Sequence, residues 1–266
     1  MNRKLFIQIT KRSVLNINMF LILFFSIIVL LHELIINEGY LVYWESVNKI
    51  DSLSIIENVY ALSIYTQIVG MFPGCPFSYT LLNEKNSGYI DYMLIRRENA
   101  GYINDKIFGA IISGMLSTGL PYLVIVFLAI IGGGPTTPDN HNQVMNDLVW
   151  GKLLYQNNGM IVIVLKGVLL MLFGILWAEL SLLISVVVRN KYLGYILPYL
   201  IYELLFFLNW RDGILITINP RYMIRYDVSS HYSLISPFIL FLIYIIIVVI
   251  FIKFIFKRYV NYEKNY

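Results

Sequence analysis

Apolar residues gather along this chain into long runs, separated by short polar stretches. A helix needs roughly 20 apolar residues to cross a bilayer core about 30 Å thick. Runs that meet or approach that length fall at residues 17–34, 59–79, 107–131, 160–188, 192–208 and 234–256. They predict six transmembrane helices in a single domain over residues 1–266, an all-α polytopic membrane protein. Ahead of the first run, residues 1–14 put Lys4, Gln8, Lys11 and Arg12 on one helical face and Leu5, Phe6, Ile9 and Val14 on the other. That is the pattern of an amphipathic helix lying in the membrane interface. The first run ends in His32-Glu33-Leu34 without a small-residue cleavage site, so it reads as a retained span and not as a signal peptide.

One polar stretch departs from the rest. Residues 82–106 read LNEKNSGYIDYMLIRRENAGYINDK, the longest charge-dense run in the chain. Within it Tyr89, Tyr92, Met93 and Arg96 recur at helical spacing, which predicts a short surface helix. Glu84, Lys85, Arg96, Arg97 and Glu98 supply both signs of charge, which suits docking on a polar protein surface; the plain alternative is a solvated loop. Just before it the second apolar run ends in Phe72-Pro73-Gly74-Cys75-Pro76. Two prolines remove backbone donors there, so Pro73, Gly74 and Pro76 are either a hinge between insert and membrane or a kink absorbed by packing.

Composition agrees with the pattern: 58% of residues are hydrophobic, 14% are charged and the mean hydropathy is +0.70, well outside soluble globular usage. Lys and Arg concentrate at both ends, in residues 82–106 and at Arg189 and Lys191, which assigns those parts to the cytoplasm. Three charges fall inside apolar runs, Lys166, Glu179 and Glu203, each at a cost of about 2.5–3.5 kcal/mol at a helix centre. Lys166 and Glu179 lie roughly 20 Å apart along one helix, too far to pair, and Lys166 is expected to snorkel outward. Glu203 faces Lys166 from a packed neighbour, is protonated, or lines a polar cavity.

Cys75 is the only cysteine, and His32, His141 and His231 are irregularly spaced, so no metal site is expected. No phosphate loop, Gly-x-Ser-x-Gly or His-Glu-x-x-His motif occurs. No catalytic residue, no cofactor held by this chain and no nucleic-acid partner are therefore expected.

The series Glu84, Gly88-Tyr89, Leu94, Arg96, Tyr102 and Lys106, leading straight into the third run, resembles the permease subunit of bacterial ABC exporters of the type-two class. Weaker echoes are Pro121, residues 185–192 (SVVVRNKY) and Pro198. The resemblance implies that residues 82–97 are a coupling helix region. It would dock on a separate ABC ATPase subunit, present in two copies, through Glu84, Gly88, Tyr89, Tyr92, Met93, Arg96 and Arg97. ATP and Mg would sit on that partner. A second copy of this chain or a sister permease would complete the path through the bacterial cytoplasmic membrane, with lipids around it.

Members of that family carry a longer outer segment between spans five and six, sometimes re-entrant; residues 210–233 have a fitting length but no clear apolar hairpin. Few charges line the runs, so the expected cargo is hydrophobic or amphipathic: a peptide, a drug or a lipid-like molecule. Two other readings stand beside this one. One is a non-transporting membrane scaffold or bacteriocin-immunity protein; the other is an ion-coupled secondary transporter using Glu203 or Glu179.

Overall fold

The computed structural model of the chain describes residues 14–36, 52–61, 64–77, 79–96, 99–132, 159–188, 190–208, 218–224 and 235–263. Among these there is no strand, and the helices are α1 (Ile17–Ile36), α2 (Ser52–Ala61), α3 (Tyr65–Ile68), α4 (Tyr79–Asn86), α5 (Tyr89–Arg96), α6 (Asn99–Gly132), α7 (Gly159–Val187), α8 (Lys191–Leu208), α9 (Pro220–Met223) and α10 (Ser236–Glu263). Four of the described helices, α1, α6, α7 and α10, are long and apolar enough to cross a membrane, which supports a multi-pass membrane protein. The run at 192–208 lies within α8, which is 18 residues long. The amphipathic helix expected over residues 1–14 lies outside the described residues apart from Val14.

The bundle is built on α6 and α7, which cross backbone to backbone. A Cβ on Gly114 would collide with the Gly174 carbonyl, and one on Gly174 with the Gly114 carbonyl. Small residues allow such close approach, and between membrane helices van der Waals packing replaces the hydrophobic drive available in water. Polar side chains then tie the pair. Thr118 Oγ1 donates to the Leu170 carbonyl at 2.7 Å, and the Tyr122 hydroxyl to the Ile163 carbonyl, also at 2.7 Å. An aromatic group of Phe173, Trp177, Tyr202 and Phe241 joins α7 to α8 and α10.

The second apolar run does not form the expected helix over 59–79. Its chain passes through α2 and α3 and then a run of turns over residues 69–77. The contacts of this segment nevertheless descend the bundle: Tyr60 packs on Tyr122, the Thr66 carbonyl accepts from the Tyr202 hydroxyl, and Phe77 sits against Gly109. Pro73 and Pro76 cannot donate, which ends regular helix here. Groups freed in an apolar setting need other partners. The Asn16 amide donates to the Pro76 carbonyl, and Cys75 Sγ donates to the Met71 carbonyl at 3.3 Å. The hinge expected at Pro73, Gly74 and Pro76 is thus the lower part of a longer irregular stretch, not a single bend between straight helices.

Proline is handled differently in α8. Pro198 lacks the N–H that would have met the Gly194 carbonyl, and Ser181 Oγ of α7 donates to that carbonyl at 2.9 Å. The Pro198 carbonyl in turn accepts from Trp177 Nε1 at 3.3 Å. The helix stays continuous because its neighbour supplies the missing bond.

Candidate functional site: the α4–α5 hairpin

The polar insert forms two short helices at one end of the bundle, where α6 begins and α7 and α10 end. Ser87 and Gly88 close α4, their backbone N–H groups donating to the carbonyls of Asn83 at 3.0 Å and Lys85 at 3.2 Å. Gly88 has φ of 69°, and a Cβ there would meet nothing within 4 Å, so glycine is required by the left-handed backbone and not by space. The expected single helix over residues 88–97 is in fact α5, turned back from α4 by this glycine.

The inner side of α4 is pinned to three long helices. Glu84 Oε1 meets Lys106 Nζ of α6 at 2.7 Å, and Glu84 Oε2 accepts from the Tyr102 hydroxyl. Lys106 also donates to Thr80 Oγ1 at 3.3 Å and lies 5.4 Å from the centre of the Phe77 ring. Lys85 points to the other side: its ammonium donates to the Val186 carbonyl at 2.8 Å and sits 4.2 Å over the Tyr259 ring of α10. Cations near a helix C-terminus satisfy its open carbonyls, and Lys85 does this for α7. Stacking of Tyr102 on Phe256 closes the ring of contacts between α6 and α10.

The outer side of α5 is exposed. Tyr89 and Tyr92 are exposed, with ring centroids 6.2 Å apart, and Ile95 is 85% exposed. Ile90 is buried, and Met93 and Leu94 pack on the core. Two expectations change here. Met93 turns partly inward, and Ile95, absent from the expected face, is its most exposed hydrophobic residue. Glu84, expected at a partner contact, is engaged inside the protein by Tyr102 and Lys106. The side chain of Arg96 and the whole of Arg97 lie outside the described residues.

Deeper in the bundle the three charges have separate surroundings. Lys166 is 3% exposed, its ammonium 5.4 Å from the centre of the Tyr60 ring. Lys166, expected to snorkel outward, is thus enclosed within the protein beside Tyr60 of α2. Glu179 is fully buried, and neither of its carboxyl oxygens has a hydrogen-bond partner among the described residues. Glu203 pairs with Arg221 at 3.2 Å, not with Lys166.

Arg221 belongs to a short segment that folds back along α8. Its guanidinium donates to the Tyr202 carbonyl at 3.3 Å and lies 4.3 Å from the Tyr202 ring centre. Asn219 donates to the Leu205 carbonyl at 2.7 Å and accepts from the Arg221 N–H, and the Tyr244 hydroxyl of α10 donates to the Ile218 carbonyl. Arg221 lies in a polar stretch from which the sequence analysis drew no site. The signal available was Asn219-Pro220, a capping residue followed by the proline that favours a first helical position. Lys85 was read only as flanking charge, and no local pattern announces its contacts with α7 and α10. No family model, no curated protein and no solved structure matches this chain.

Proposed function

We propose that this chain is the membrane-spanning subunit of an ATP-driven exporter of the ABC type-two class. In this reading it is one domain with six passes, the irregular segment 52–77 and α8 supplying the second and fifth. Both termini and the α4–α5 hairpin face the cytoplasm of a bacterium. The observation that carries the reading is the hairpin's two-sidedness: an inner face fixed by Glu84 and Lys85 to α6, α7 and α10, and an exposed outer face that carries Tyr89, Tyr92 and Ile95.

Such a part is fitted to take a push from outside and pass it to helices. Docked on a separate ATPase, the outer face would follow the closure of two nucleotide-loaded subunits, and the inner face would carry that motion into the bundle. The chain then performs no covalent chemistry itself; ATP binding by the partner supplies the differential affinity for two conformations. A second copy or a sister permease completes the path, and the apolar surroundings favour a hydrophobic or amphipathic cargo.

Photocrosslinking tests the contact. With p-benzoylphenylalanine in place of Tyr92 or Ile95, illumination of whole membranes should give an adduct identified by mass spectrometry as an ABC-type ATPase subunit. The same group in place of Phe127, exposed on the far half of α6, should give none. Adducts from positions 92 and 95 to some other class of protein would favour the non-transporting scaffold instead.

A further inference from the structure

The helix α10 has an exposed surface that the exporter reading does not use. Its buried side is Phe241, Val248, Ile252, Phe256 and Val260. The opposite side carries two adjacent helical stripes that change character along their length. One runs Ile246, Ile250, Lys253, Lys257 and the other Ile247, Phe251, Phe254, Arg258, all eight residues exposed. Spacings of three and four residues keep each stripe on one line of the helix surface. Each therefore reads apolar toward the middle of the helix and cationic toward its end.

The three cations cannot turn inward, because that side is occupied. Phe256 stacks on Tyr102, and Tyr259 lies under the Lys85 ammonium. Among the described residues none of Lys253, Lys257 and Arg258 makes a hydrogen bond or an ion pair. Lys253 and Lys257 stand about 6 Å apart along the axis, one turn from each other. Phe254, 63% exposed, lies between the two stripes' cations.

We infer that this face of α10 is a binding site for an anionic phospholipid. The acyl chains lie along Ile246, Ile250 and Phe251, and the phosphate is held by Lys253, Lys257 and Arg258. Continuity selects a lipid over a soluble anion: the cations end stripes that are otherwise hydrocarbon-facing, on a helix long and apolar enough to span. Basic side chains beside a membrane helix attract anionic headgroups and hold them within a short screening distance. The inference needs the chain to be in a membrane but does not need the exporter reading.

The test uses the full chain reconstituted in bilayers of phosphatidylcholine containing a minor fraction of phosphatidylglycerol. A Phe254→Trp variant provides a local reporter, read as the difference from the parent protein. Phosphatidylglycerol brominated on its acyl chains should quench that fluorescence more strongly than brominated phosphatidylcholine at the same mole fraction. Adding Lys253→Gln, Lys257→Gln and Arg258→Gln should lower the preference for phosphatidylglycerol by about tenfold or more. A control with Lys4→Gln, Lys11→Gln and Arg12→Gln, an equal loss of charge elsewhere, should leave it unchanged. Equal quenching by the two lipids in the reporter protein overturns the inference, as does an equal loss in the control. If the triple variant fails to insert, Lys257→Gln alone carries the test, with a partial loss expected and no change overturning it.

Discussion

The α6–α7 pair and the segment over residues 52–77 are both apolar and both cross the depth of the bundle, yet they are built in opposite ways. In the pair, Gly114 and Gly174 bring two unbroken backbones into contact, and every tie reinforces that one geometry. In the segment, Pro73, Pro76 and the turns around them give up regular helix, and Asn16, just before α1, and Tyr202 of α8 donate to the Pro76 and Thr66 carbonyls. Apolar length decides what stays in the membrane. The placement of glycine and proline decides which part is continuous helix and which gives up regular helix.

The hairpin sits where the two meet, continuous in chain with the irregular segment and pinned by side chains to the long helices. Side-chain contacts at Glu84 and Lys85, and not chain continuity alone, therefore join it to the long helices. Glu84 and Lys85 are neighbours in sequence and opposite in charge, and they engage α6 on one side and α7 with α10 on the other.

The contrast can be broken most severely at its tight end. Gly174→Val forces the crossing helices apart and should cost about 3 kcal/mol or more, seen as loss of a monodisperse folded peak in detergent. Next comes Glu84→Ala, which leaves the nearly buried Lys106 without its carboxylate; about 2–3 kcal/mol of thermal stability should be lost, and Glu84→Gln should lose less because it still accepts from Tyr102. Tyr202→Phe strips the donor from the Thr66 carbonyl and should cost about 1–2 kcal/mol, with faster hydrogen exchange confined to the segment containing Thr66. Lys85→Met should cost about 1 kcal/mol in melting experiments while loosening the ends of α7 and α10. Smallest in stability is Pro73→Ala with Pro76→Ala, expected within about 1 kcal/mol of the parent but with slower exchange over residues 69–77; faster exchange there would show that the prolines rigidify the segment and do not soften it.

Much of this was legible in the sequence. Apolar run length gave α1, α6, α7 and α10, and polarity located the insert. Proline spacing marked the lower part of the irregular segment, but its upper part was not legible, because Tyr60, Tyr65 and Thr66 read as ordinary residues of an apolar run. The Glu203–Arg221 pair was out of reach for a different reason: Asn219-Pro220 marks a short helix start, but no local pattern specifies that it folds back onto α8. Tyr89, Tyr92 and Met93 were expected on one face of α5; in the structure both tyrosines and Ile95 are exposed, while Met93 packs on the core. Met93 falls four residues after Tyr89 and Ile95 three after Tyr92, so spacing admits either, and packing against the core turns Met93 partly inward.

The central claim is that the outer face of the hairpin docks on a separate ATPase. Its most direct test is the stoichiometry of any ABC-type ATPase retained by the tagged protein when it is purified in detergent from its own membranes, compared between the parent and an Ile95→Asp, Tyr92→Ala variant that still folds and inserts. The account predicts retention near one ATPase per chain for the parent and loss of about tenfold or more for the variant, the scale expected when a central interface anchor is removed. Equal retention by both proteins would place the docking surface elsewhere, and no retention by the parent would contradict the account.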